Sequence, residues 1–188
     1  MVMDNELVLV KSCQSGNSAA FGQLYDFYVK HIYDFIYYKT FHQQTAEDLT
    51  SQSFLKALKA IGGFRVESGS FQAWLYQIAR NTVIDHYRTQ KHNVDIEDVW
   101  DLSSADDLPN DLHQQQVLEQ VQAELKNFSA EQREIVLLRV WGQLSYAEIA
   151  QITGKTENNC KVIFFRMVKK LKDNEKFALL LLLASFFV

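Results

Sequence analysis

The chain has 188 residues, enough for one large or two small domains, with a single proline and seven glycines. Its two cysteines, Cys13 and Cys160, form no CxxC pair, which disfavours a disulfide framework or a cysteine zinc site and favours a reducing cytoplasm. Scarce glycine and proline, with apolar residues at helical spacing along most of the chain, predict an all-α protein.

The net charge of −4 is confined to one segment. Residues 93–112 carry seven acidic and no basic side chains, whereas residues 1–92 carry eight acidic and nine basic ones, and residues 113–188 carry eight and ten. The acidic segment has little periodicity, so we interpret it as a linker between two small helical domains. Because the flanking parts are only slightly basic, we expect weak binding of nucleic acid by the chain alone.

Three helices are predicted before the linker, over residues 18–41, 45–61 and 70–88, after a short amphipathic segment at residues 5–13. Thr45 and Ser70 are the expected N-caps of the second and third helices. The loop 62–69 begins with two glycines and separates these helices. Arg80 and Arg88 are eight residues apart on the third helix, and this face is equally suited to a phosphate backbone or to solvent.

Two more helices are predicted over residues 113–127 and 130–141, the second capped by Ser129, and a helix-turn-helix follows over residues 145–171. Ser145 and Glu148 have capping-box spacing, and Gly154 is placed to end the first helix in a left-handed conformation. Thr156 can cap the second helix.

The second helix of this motif has an apolar back and a basic front. Its predicted buried stripe consists of Cys160, Phe164, Met167 and Leu171. A basic outer face on such a helix is typical of a DNA-reading helix, although an ordinary helical hairpin with solvated lysines has the same spacing.

Signatures of catalysis are missing from the sequence. There is no HExxH metal motif, P-loop, dinucleotide-binding glycine motif or nucleophile elbow. Asp85 and His86 suggest a nuclease only weakly, because adjacent helical residues point in different directions. We therefore expect no catalytic residue, no metal, no cofactor and no small-molecule substrate.

Two separated blocks resemble one family. The first comprises AEDLTSQSFLKAL (46–58) and GGFRVESGSFQAWLYQIARNTVIDHYR (62–88), and the second is SAEQREIVLLRVWGQLSYAEIAQITGKTENNCKVIFFRMVKKL (129–171). Over about residues 4–172 the chain resembles a bacterial RNA polymerase sigma factor of the sigma-70 family, extracytoplasmic-function (ECF) class. The order of the blocks is more specific than the helix-turn-helix alone.

The resemblance implies a cytoplasmic initiation factor without catalytic activity. Its partners would be core RNA polymerase, promoter DNA and an anti-sigma factor. Residues 1–92 would bind the polymerase clamp and recognise and melt the minus-ten element, and residues 113–172 would recognise the minus-thirty-five element. Residues 93–112 would be the acidic linker, while the role of the apolar tail in residues 173–188 is not implied. The alternative is a stand-alone helix-turn-helix repressor or activator.

The resemblance also implies individual contacts. Polymerase would be bound by Asp48, Gln52, Ser53 and Phe54. The minus-ten strand would be bound by Phe64, Arg65, Arg80, Asn81 and Arg88, with Trp74 in the core. The minus-thirty-five element would be read by Asn158, Asn159, Lys161, Val162, Phe165, Arg166 and Lys169.

Two places depart from the family pattern. Asn158 and Asn159 stand where the family usually has Gly-Thr, and Val162 and Ile163 replace a small polar and a basic residue. The promoter sequence therefore does not follow from the resemblance. The twelve residues 177–188, all apolar except Ser185, would span about 18 Å as a helix, too short for a bilayer core of about 30 Å. We expect this tail to fold back on the second domain; a partner or a membrane surface is the alternative.

Overall fold

The structure, a computed structural model, describes residues 5–90 and 112–173. Within these two ranges the chain forms eight α-helices and no strand, which confirms the predicted all-α class. The helices are α1 (Glu6–Gln14), α2 (Ser18–Thr40), α3 (Gln43–Ala60), α4 (Phe71–Gln90), α5 (Leu112–Lys126), α6 (Ala130–Val140), α7 (Tyr146–Thr153) and α8 (Glu157–Asp173). Two short 3₁₀ turns, Ile61–Gly63 and Val66–Ser68, lie between α3 and α4.

Helices α1 to α4 form the N-terminal bundle around an aromatic core. Phe35 meets Tyr76 edge-on with ring centroids 5.1 Å apart, and Tyr28 lies 5.8 Å from Phe71. These four side chains are fully buried. Buried aromatic pairs of this geometry stabilise a core beyond the area that they bury, which explains the many aromatic residues of α2 and α4.

The N-terminus of α3 differs from the prediction. The helix begins at Gln43 and its cap is His42, whose Nδ1 accepts a hydrogen bond from the Thr45 backbone N–H at 3.1 Å. Thr45 is therefore a residue of the first turn, and its predicted role as N-cap is wrong. At α4, by contrast, the Ser70 hydroxyl accepts from the Ala73 N–H at 3.1 Å, as predicted.

Helices α5 to α8 form the C-terminal bundle, and their caps follow the predicted pattern. Ser129 opens α6 and Ser145 opens α7, each with a complete capping box, the second with Glu148. Gly154 ends α7 with φ 71°, and the Thr156 hydroxyl accepts the Asn159 N–H at 3.2 Å to open α8. The helix-turn-helix is thus confirmed as a structural motif.

The two bundles pack against each other. All eight residues from 34 to 41 at the end of α2 are buried, although one helix face would need only half of them. The N-terminal bundle covers one side of this segment, and α6 contacts α2 across the boundary. Tyr38 and Trp141 meet there with ring centroids 4.5 Å apart. Helix α7 contacts α4 nearby, so a continuous apolar core runs through both bundles.

Two predicted segments lie outside the described residues, namely nearly all of the linker (93–111) and the apolar tail (177–188). In the two ranges that the structure describes, none of the helices has the length and apolar character needed to cross a membrane.

Candidate nucleic-acid interface

The outer face of α8 is open to solvent. Cys160, Met167 and Leu171 are at most 2% exposed and fix the back of the helix in the core. This anchoring turns the remaining positions outwards. The exposed side chains are Asn158, Asn159, Val162, Phe165, Arg166 and Lys169.

Two of these exposed side chains are apolar. Phe165 is 62% exposed and Val162 is 36% exposed, and they lie one helical turn apart. A thymine methyl group in the major groove is a suitable contact for such side chains, while Arg166 can donate two hydrogen bonds to guanine. The face therefore combines exposed apolar, amide and cationic groups on one helix.

Lys161 lies at the edge of this face and is already engaged. Its Nζ is 2.6 Å from Glu157 Oε1 one turn earlier, and it lies 5.9 Å from the ring centroid of Tyr146. The ion pair is half-exposed, so exchange of the carboxylate for a DNA phosphate would cost little.

The loop 62–69 is held at its start by α1. Gln14 Nε2 donates to the carbonyl oxygens of Ile61 at 3.0 Å and Phe64 at 2.8 Å. Phe64, expected to contact DNA, is only 6% exposed and packs against Trp74 with ring centroids 5.2 Å apart. Its assignment as an accessible DNA contact is therefore corrected, since apolar packing holds the ring inside. The following residue, Arg65, is exposed.

The three polar positions of α4 have different surroundings. Arg88 is exposed, and Asn81 is exposed with its Oδ1 accepting a hydrogen bond from Gln77 at 3.1 Å. Arg80 is half-buried and its Nε donates to Glu134 Oε1 on α6 at 3.0 Å. The predicted basic face of α4 is thus partly occupied by a carboxylate of the other bundle.

Glu134 accepts from two cations. Lys39 Nζ lies 2.6 Å from the same Oε1 that Arg80 contacts. Burial alone would raise the pKa of Glu134, but the charges and hydrogen bonds of Lys39 and Arg80 outweigh it and hold the pKa below its ordinary value. Glu134 is therefore a carboxylate at neutral pH.

The expected polymerase-binding residues of α3 divide into two groups. Asp48 and Gln52 are exposed. Ser53 is fully buried with its hydroxyl donating to the Leu49 carbonyl at 2.6 Å, and Phe54 is 4% exposed. Neither buried side chain is on a docking surface, so the expectation that Phe54 is exposed is wrong.

Two leucines of α3 near Phe54 are exposed. Leu55 is 57% exposed and Leu58 is 44% exposed. Isolated large apolar residues on a charged helix were the available signal in the sequence. Among the described residues, His, Cys, Asp and Glu side chains form no cluster of three or more suited to a metal ion.

Comparison with known proteins matches both halves of the chain. Residues 24–93 match the model of sigma-70 region 2, and residues 118–171 match that of sigma-70 region 4. The RNA polymerase sigma factor YlaC of Bacillus subtilis is 30% identical over 155 residues, which cover 80% of this chain and 89% of YlaC. This chain belongs to the sigma-70 family, ECF class.

Other relatives agree with this family. The ECF sigma factor BldN of Streptomyces coelicolor is 37% identical over 170 residues, covering 87% of this sigma factor but only 63% of BldN. CnrH, solved with the cytosolic domain of CnrY, matches with a TM-score of 0.72 and 22% identity over 90% of this chain and 96% of that one. That likeness extends the agreement to the fold.

Proposed function

We propose that this sigma factor binds core RNA polymerase and directs it to specific promoters, acting in the cytoplasm without catalytic activity of its own. The observation that carries the proposal is the presence of region 2 ahead of region 4 in one chain. A stand-alone helix-turn-helix regulator has no need of region 2, so this alternative is not favoured.

Residues 113–172 would read the minus-thirty-five element through the outer face of α8. Arg166, Asn158 and Asn159 supply donors and acceptors for base edges, and Val162 and Phe165 supply apolar contacts. Lys169 is placed for phosphate, where a contact adds affinity without sequence preference.

Residues 1–92 would bind the polymerase clamp and the minus-ten strand. Asp48 and Gln52 with the exposed leucines of α3 form a mixed polar and apolar docking face. Arg65, Asn81 and Arg88 are accessible for the DNA strand. Arg80 joins them only when Glu134 is displaced.

Partners and the linker belong to the same proposal. An anti-sigma factor is an expected antagonist; the sigma factor RpoE of Bartonella quintana, which shares the fold at 23% identity and a TM-score of 0.63, was solved with the anti-sigma factor NepR. The acidic linker 93–112 would enter the cationic channel of the polymerase. Replacing its seven carboxylates by amides should then improve DNA binding by the chain alone and impair initiation with core.

The test is run-off transcription with core polymerase on a library of promoter fragments. Core with this sigma factor should give transcripts from a subset that shares two spaced elements, and core alone should not. Pull-down of core subunits by the full chain gives an independent reading. Sequence-specific binding of promoter DNA by the chain alone, without stimulation of transcription, would favour the stand-alone regulator.

A further inference from the structure

The boundary between the bundles contains a buried charge cluster. Glu134 of α6 has a side chain 8% exposed, and its partners Lys39 of α2 and Arg80 of α4 are 3% and 16% exposed. The partners are 95 and 54 residues away along the chain. One carboxylate oxygen therefore holds together three helices from two bundles.

A second set of contacts covers the end of the loop 62–69. The Ser70 hydroxyl donates to Glu148 of α7, and Gln72 Nε2 donates to the Gly142 carbonyl at 2.7 Å. Gly69 has φ 129°, and a Cβ atom there would lie 2.8 Å from the side-chain oxygen of Gln151 on α7, so the end of the loop lies directly beneath this helix. Helix α7 thus lies over the end of the loop that the proposed function assigns to the minus-ten strand.

We propose that this interbundle contact is an autoinhibitory latch, in which Glu134 takes the place of a DNA phosphate on Arg80 and α7 covers the end of the minus-ten loop. The inference rests on the proposed function, because it assigns Arg80 and the loop to DNA. The single Nε–H of Arg80 is taken by Glu134, and the side chain is only 16% exposed, so a phosphate cannot approach its remaining N–H groups freely while the bundles are packed. The bundles must therefore separate before α4 can engage the minus-ten strand fully.

The latch has a composition suited to switching. Apolar packing of Tyr38 on Trp141 favours closure, whereas Lys39, Glu134 and Arg80 must all be dehydrated in the closed state. Buried ion clusters of this kind add little net stability, but removal of one member leaves an uncompensated charge and is strongly unfavourable. Closure is therefore sensitive to any partner that offers Arg80 a better ligand. It is also sensitive to polymerase, whose surface would bind either bundle.

Glu134→Gln is the informative variant. The neutral amide no longer balances the positive charge of Lys39. The Lys39 side chain is 3% exposed when the latch is closed, and its ammonium group can hydrate when the latch is open. The open fraction should rise at least about tenfold. Glu131→Gln is the matched control, since Glu131 also lies on α6 but pairs with Lys155 of its own bundle at 2.8 Å.

Opening is measured by single-molecule fluorescence transfer in the full chain. Dyes are attached through Gln44→Cys and Ala123→Cys, both exposed positions, in a chain with Cys13→Ser and Cys160→Ala. Glu134→Gln should populate a low-transfer state that Glu131→Gln does not. Gln72→Ala, which removes one uncharged interbundle hydrogen bond, should do so to a smaller extent and tests the latch independently if Glu134→Gln folds poorly.

DNA binding by the same variants links the opening of the latch quantitatively to affinity for the strand. The probe is a fluorescein-labelled, 20-nucleotide single strand of mixed sequence, followed by anisotropy at fixed salt. Apparent affinity scales with the competent fraction, so the fold gain in affinity should match the fold gain in open molecules.

Several results would overturn the latch. These are unchanged energy transfer in folded Glu134→Gln and Gln72→Ala, equal opening by Glu131→Gln, or opening of Glu134→Gln without any gain in affinity for the strand. Run-off transcription separates this failure from failure of the proposed function. Normal core-dependent transcription without opening refutes the latch alone, whereas opening without core-dependent transcription refutes the proposed function alone.

Discussion

Substitutions at two adjacent residues of α3 should have opposite effects: one should weaken polymerase binding and the other should lower stability. Leu55 is 57% exposed, whereas Phe54 is 4% exposed and meets Tyr25 edge-on with centroids 4.8 Å apart. Burying a whole leucine side chain contributes about 1.5–3 kcal/mol, so docking of the exposed half contributes about 1–2 kcal/mol. Leu55→Ala should therefore weaken core binding by about 5- to 30-fold. It should change the free energy of unfolding by less than about 0.5 kcal/mol.

Phe54→Ala is the matched control. Loss of a buried phenylalanine costs about 3–5 kcal/mol of folding free energy, through lost burial and the cavity that remains. Where the variant is still folded, its affinity for core should stay within about twofold of the parent. Urea unfolding followed by circular dichroism measures stability, and titration of labelled sigma factor with core polymerase measures affinity. Reduced core affinity for folded Phe54→Ala, with Leu55→Ala unaffected, would show that the docking face of α3 is assigned to the wrong residues.

Three further predictions concern α8 and α1. Arg166→Ala should cost about 1–3 kcal/mol of binding free energy at one base pair of the minus-thirty-five element and relax the sequence preference there. Lys169→Ala should weaken binding to all promoters alike and lower the salt dependence of binding. Equal losses on every sequence for both variants would show that Arg166 contacts phosphate. If Phe165 contacts a thymine methyl, replacing that thymine by uracil should weaken the parent but not Phe165→Ala, and an equal loss in both would exclude the contact. Burial raises the pKa of Glu6, and the hydrogen bond from Tyr28 offsets this only in part. The stability that Glu6 contributes is thus complete below its unfolded pKa near 4.5 and is lost as pH rises through the raised folded value, so Glu6→Gln should raise the melting temperature at pH 7 but not at pH 3.

Local chemistry made much of the helical framework predictable. The capping boxes at Ser129 and Ser145 and the left-handed turn at Gly154 depend on residues within one turn, so a short stretch of sequence contains the whole signal. Thr45 was predicted wrongly because His42, a residue seldom considered as a cap, offers a ring nitrogen three residues earlier and starts the helix sooner.

Exposure of the candidate site was less predictable. Helical spacing shows which residues share a face, but the neighbouring elements decide whether that face is covered. The resemblance assigned Phe64 to the minus-ten strand, yet its ring packs on Trp74 inside the bundle, and Gln14 fixes its backbone carbonyl. The ion cluster had a weak signal in Lys39 and Glu134, charged residues within strongly apolar runs. The partner of each lies in a distant helix, so the pairing could not be assigned.

The buried end of α2 also has a consequence during synthesis on the ribosome. Tyr38 leaves the ribosome well before Trp141, and Lys39 leaves it 95 residues before Glu134. At about 5–20 residues per second, the interval is about 5–20 seconds. During this time a nascent chain carries a finished first bundle with an uncovered aromatic and cationic end. Nascent-chain chaperones or translation pauses after residue 90 should therefore affect the yield of this protein more than its final stability.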